Sequence, residues 1–151
     1  MGGVEHLRER AAQRREEARK AEARERDRSA LLRAVDDPRD AATVLMLLIA
    51  RGGDPSAPQL AAIEQAMARV FDFGSETVAR LTQAQFIARS AAGFDDAAKI
   101  FADLFRARLS AAEQHELAQM LREIAQLDGP SPLQSAALES FERRLGFAPA
   151  A

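Results

Sequence analysis

Between Asp37 and Ala50 the chain is apolar on almost every side. Val44-Leu45-Met46-Leu47-Leu48-Ile49-Ala50 is its longest uninterrupted apolar run. A helix without a polar face belongs in the middle of a fold, so this segment is predicted to be central, with Leu45, Met46, Leu48 and Ile49 inward. Asp37 is placed to cap it, with Pro38 at its first position and an end near Arg51. The remaining segments show helical spacing with one apolar stripe each. Leu60, Ile63, Met67 and Val70 mark a helix from Ser56 to about Phe71. Val78, Leu81, Phe86 and Ile87 mark one opened by Ser75 and closed by Gly93. Ile100, Leu104 and Phe105 are predicted inward on a helix opened by Asp95 or Asp96. Leu117, Met120, Leu121, Ile124 and Leu127 follow the capping pattern Ser110-Ala-Ala-Glu113. Leu138, Phe141 and Leu145 lie on a last helix, begun by Ser131-Pro132 and stopped by Gly146.

Two of these segments repeat at an offset of 75. Ser56, Gln59, Ala61, Ala62, Glu64 and Arg69 recur as Ser131, Gln134, Ala136, Ala137, Glu139 and Arg144. Each copy opens with Ser-x-x-Gln, a capping box, and each follows an apolar helix and a glycine turn: Gly52-Gly53 in one, Gly129 in the other. The expectation is an all-α compact bundle of about six to seven helices, containing two pseudo-symmetric helix–glycine turn–helix units.

The first 35 residues differ. Over residues 4–35 the large apolar side chains are Val4, Leu7, Leu31, Leu32 and Val35. Acid–base pairs at helical spacing, Glu16 with Lys20, Glu22 with Arg26 and Glu25 with Arg28, support an exposed helix. No Leu or Ile heptad runs through it. The organisation expected is a charged helical arm over 1–36, a helical domain over 37–147 with the core residues beyond Pro38, and a loose tail over 148–151.

Composition agrees with helix throughout: Ala, Leu, Arg and Glu dominate, and β-branched residues are few. There is no cysteine, which excludes disulfides and thiolate metal sites. Net charge is −2, with +3 on residues 1–35 and −5 on the rest. A mildly acidic body with a mixed-charge arm does not fit nucleic-acid binding. No segment approaches the roughly 20 apolar residues that span a bilayer, so stable membrane insertion is not expected, while peripheral association stays open. No signal-peptide core is present, and a cytoplasmic location is the expectation.

Candidate chemistry is sparse. His115-Glu116 begins like a zincin motif, but Gln119 stands where the second histidine should be, and the other histidine, His6, lies in the arm. Gly52-Gly53-Asp54 lacks the Lys and Ser/Thr of a phosphate loop. Glu113 with Glu116, and Asp95 with Asp96, read as acids favoured at helix starts. Asp54 and Asp128 occupy equivalent glycine turns, where oxygen ligands could hold a hard cation weakly. They are the metal candidates, and one acid per turn is few. No catalytic residue and no cofactor beyond a weak divalent cation is expected.

Helices paired around Ala-Asp-Gly turns, with an acid opening the next helix, form a pattern that this chain resembles over roughly residues 38–147. It is that of the tellurite-resistance TerB family. The best segments are Leu45–Ile63 and Leu117–Phe147, with Ile124-Ala125-Gln126-Leu127-Asp128-Gly129 close to the family's second turn. The resemblance implies an all-α fold with two halves related by a pseudo-twofold, and a role in a bacterial-type stress response. The family's metal-binding acids fall on Gly52, Gln59, Asp128 and Gln134, so Asp128 alone carries over. The function expected is therefore a non-enzymatic interaction or scaffold module with an unknown protein partner. The alternatives are a helical adaptor docking through the arm with no metal or tellurite role, and a small enzyme with unrecognised acids.

Overall fold

The computed structural model describes residues 2–50 and 53–147. Among them the chain is all-α, with no strand. The segment expected to be central is so. Helix α2 (Pro38–Ile49) packs against α4 (Thr77–Ser90), α5 (Phe94–Arg108) and α6 (Ala111–Gln126). Asp37 caps it, its carboxylate accepting from the Arg39 amide at 2.9 Å, and Pro38 takes the first helical position, where a missing N–H costs nothing. Ala41 to Leu47 and Ile49 are all buried. Leu48 is only half-buried, contrary to the inward placement. Leu48 is partly uncovered because it lines a recess beside Pro55 and Arg89.

The two repeat units are α2 with α3 (Ala57–Gln65), and α6 with α7 (Pro132–Leu145). Met46, Ile49 and Ala50 in the first stand at the same offset as Leu121, Ile124 and Ala125 in the second, and all six are buried. Helix α5 lies against both α2 and α7. Its Ala97, Ala98 and Ala102 allow close approach, while Phe94, Phe101 and Phe105 fill the space between. Phe94 and Phe105 meet Phe141 edge-on at 5.9 and 6.0 Å, an arrangement the ring quadrupoles favour. Ile100 and Leu104, expected inward, are half-buried at the edge of this cluster.

Several local expectations are corrected. Val70 is 61 % exposed, not part of the buried stripe. After Gln65 the helix widens into a π-turn, Ala66–Val70, where the Phe71 amide reaches back five residues to the Ala66 carbonyl. The extra residue in that turn rotates Val70 off the line set by Ile63 and Met67. Ser75 is not a cap. A 3₁₀ turn, Gly74–Glu76, precedes α4, and Thr77 bonds back to the Gly74 carbonyl at 2.7 Å. On α4 the buried positions are Leu81, Ala84 and Ile87, whereas Val78 and Phe86 face outward. Gly93, expected to close α4, instead stands immediately before α5, which starts at Phe94; Asp95 and Asp96 lie in its first turn. Leu127 is half exposed, just past α6. Gly146 does end α7: at φ 92° it lets the Phe147 amide bond the Glu142 carbonyl and its own amide bond Arg143, the paired closure that glycine permits.

The arm is helix α1 (Gly2–Arg33), with its side chains exposed from Val4 to Ala23. It joins the core at its last turn, where Leu32 is fully buried and Val35 packs beside it. The core therefore begins before Pro38, because α1 runs unbroken into contact with α4 and α5. The Glu25–Arg28 side chains, Arg51, Gly52 and the tail at 148–151 lie outside the described residues.

Since the buried anchor is Leu32, removing residues 1–30 is expected to lower stability by less than about 1–2 kcal/mol in a denaturant titration. Leu121→Ala is expected to cost about 2–5 kcal/mol, because Leu121 is fully buried. Leu48→Ala is expected to cost clearly less in the same titration, and equal losses would contradict the burial described.

Candidate functional site

Both Ser-x-x-Gln motifs form complete capping boxes. The Ser56 hydroxyl accepts from the Gln59 amide, and the Gln59 side-chain oxygen accepts from the Ser56 amide at 3.0 Å. Ser131 and Gln134 do the same at the start of α7. Each glutamine has a second half, a side-chain NH₂ turned the other way. Gln59 Nε2 donates to the Ile124 carbonyl at 3.0 Å, and Gln134 Nε2 donates to the Ile49 carbonyl at 2.9 Å. Ile49 and Ile124 themselves stand at the offset of 75. Each repeat's capping glutamine thus closes the carboxyl end of the other repeat's first helix. This answers two needs together, since helix starts lack acceptors and helix ends lack donors. It also sets the start of one helix against the end of another, where their dipoles attract. Gln59 is fully buried and Gln134 half-buried.

The metal candidates flank this junction, both exposed: Asp54 before Ser56 and Asp128 before Ser131. Gly53 at φ 90° and Gly129 at φ 71° provide the left-handed turns beside them. Asp54 lines a recess of about 420 Å³ with Leu48, Pro55 and Arg89. No three of His, Asp or Glu converge among the described residues. His115 has a different role from metal ligation: its ring stacks on Phe147, centroids 3.8 Å apart and 6° from parallel, tying α6 to the chain beyond α7. Glu113 completes the capping box of Ser110, whose amide holds its carboxylate below the usual range. Glu116 sits one turn on, also exposed.

A groove of about 200 Å³ lies between the start of α2, the π-turn and α6. Val70, Phe71, Leu117 and Met120 give it apolar walls, and Glu113 and Glu116 stand on one side. Arg39 closes the other side, occupied by Asp37 and, at 3.0 Å, by the Phe71 carbonyl. Beyond it Arg80 bonds Asp40 at 2.8 Å and Glu76 at 3.3 Å. Both guanidinium groups lie over the buried Phe73 ring, at 4.8 and 4.7 Å from its centre. Asp72, at φ 58°, makes the turn between the π-turn and Phe73. The hydrogen bond from the Arg39 side chain is the main reason that the Asp37 carboxyl is held below its ordinary value.

Sequence reading located Asp54, Asp128 and the acids of α6, but not the groove. Its walls include Val70, which the π-turn exposes, and no residue signature marks that turn. The second glutamine bonds did leave a signal: Ile49 and Ile124 share the repeat offset with Gln59 and Gln134. A scan against protein-family models, a search of curated proteins and a search of solved structures each found no match to the chain. Among the described residues no helix is long and apolar enough to cross a membrane.

Gln59→Ala removes a cap and strands a buried carbonyl, so a loss of about 2–4 kcal/mol is expected by urea titration, with Gln134→Ala milder. Asp37 titrates lower in the folded chain than its ordinary 3.8. Its contribution is complete above that value and disappears as pH falls through the lower, folded value. Stability measured between about pH 5 and 2 should fall less steeply in Asp37→Asn than in the parent.

Proposed function

We propose that this chain is a non-enzymatic, TerB-like helical interaction module serving a stress response such as that to tellurite, and that it presents α1 to a protein partner. The observation that carries this reading is the geometry of α1. Thirty-two residues form one helix, yet among its described side chains large-residue burial is confined to the last turn. A helix without a buried stripe contributes little to its own domain's stability. Its length, about 48 Å at 1.5 Å per residue, places its far end well away from the bundle. An extended arm on a cross-braced body is suited to reaching another molecule.

The variant of this reading in which no metal takes part is favoured by the glutamine amides. Where a carboxylate and a carbonyl face each other, a cation between them relieves the repulsion. Gln59 and Gln134 instead bring their own N–H to the carbonyl, which neutralises the junction without an ion. Asp54 and Asp128 are left as weak sites at most.

The full chain and a chain lacking residues 1–30 can be compared as baits in native extract, with each captured protein then purified and titrated. At least one partner is expected to bind the full chain and to lose about tenfold or more in affinity with the truncation. Equal binding by both baits would remove α1 from the function. Calorimetry with calcium, magnesium and manganese should show no micromolar binding; such binding, abolished by Asp128→Asn, would make ion sensing the better reading.

A further inference from the structure

We propose that α1 docks into the groove beside the π-turn on a second copy of this chain, tip against Leu117 and Met120 and arginines against Glu113 and Glu116. This rests on the reading of α1 as a docking arm and names what it docks to.

The complementarity begins with the arm. Successive residues of a helix turn by about 100°. That spacing puts Val4, Leu7, Arg8, Ala11, Arg14, Arg15 and Ala18 within about a third of the circumference. Glu5, Glu9 and Glu16 point to the other side. The mixed-charge arm is therefore sorted: one face is apolar at its tip and basic behind it, without an acid until Glu22. All of these side chains are exposed, Val4 by 62 % and Leu7 by 66 %.

The groove carries the inverse order. Glu113, Glu116, Leu117 and Met120 lie at helical spacings of three and four on one face of α6, acidic at its start and apolar beyond. Laid antiparallel, the two helices bring Leu7 and Val4 to Leu117 and Met120, and bring Arg14 and Arg8 towards the two glutamates. Val70, swung outward by the π-turn, adds apolar wall where the tip would enter. An amphipathic helix held by anchors at i and i+3 is a common way to fill such a groove.

The same molecule's arm does not fill this site, since no α1 residue lines it and Val4 and Leu7 are exposed. α1 is unbroken to Arg33, so Leu7 lies about 39 Å from the point where the arm meets the body. The groove it fills belongs to another copy. Charge favours that encounter, since the arm carries +3 and the rest −5.

Sedimentation of the full chain over about 1 μM to 1 mM tests the proposal. Self-association is expected, weakening as salt rises because the ion pairs are exposed. Leu7→Asp and Glu116→Arg should each weaken it about tenfold or more, with circular dichroism unchanged because both positions are on the surface. Arg14→Glu should weaken it too, and mixing that variant with the Glu116→Arg chain should restore association. A chain that stays monomeric over the whole range, or that associates equally in the Leu7 and Glu116 variants, overturns the proposal. A monomeric chain whose arm still binds a different protein, or vesicles of anionic lipid, overturns it as well; the first of these leaves the reading of α1 as a partner-docking arm standing.

Discussion

A helix that ends inside a fold must find donors for its last carbonyls, and a helix that starts there must find acceptors for its first amides. This bundle meets both demands with the same two side chains. Gln59 and Gln134 each accept at the start of their own helix and donate to the end of the helix that begins the other repeat. That exchange ties the start of α3 to the end of α6, and the start of α7 to the end of α2. A single capping box orders one turn of one helix. Two that reach across to each other fix the relation between halves of the chain.

The rest of the core is arranged around this brace. α2 is covered by α4, α5 and α6, and its alanines and those of α5 let the backbones come close. The phenylalanines of α5 and α7 take the volume that remains, edge to face. A charged cluster, Asp37, Arg39, Asp40, Glu76 and Arg80 around Phe73, holds the connection between the π-turn and α4 to the start of α2. The groove opens beside that cluster, where the regular helix spacing is broken.

What could be read from the sequence was whatever depends on neighbours within a turn or two. Three Ser caps, the Asp37-Pro38 start and the Gly146 stop were legible because each is completed by residues two to five positions away. The central place of α2 was legible because no polar face interrupts it. Errors arose where a distant contact or a change in helix type decides. Leu32 resembled the rest of a polar arm, yet it enters the core because α1 continues without a break to α4 and α5. Val70 has the spacing of a buried residue and is turned out by one additional residue in a turn. Ser75 looks like a cap, but the chain takes a 3₁₀ path there. The glutamine donors reach acceptors 65 and 85 residues away, and only the repeat offset shared by Ile49 and Ile124 hints at them.

The amide brace also determines how the fold meets its surroundings. A carboxamide neither titrates in the physiological range nor needs a counter-ion, and its hydrogen bonds here are shielded from bulk water to differing degrees on the two sides. Neither glutamine side chain supplies a charge for a cation to neutralise or a group for moderate acid to protonate. These two bonds between the halves of the bundle carry no net charge, while the charges described on α1 and around the groove remain exposed to the medium.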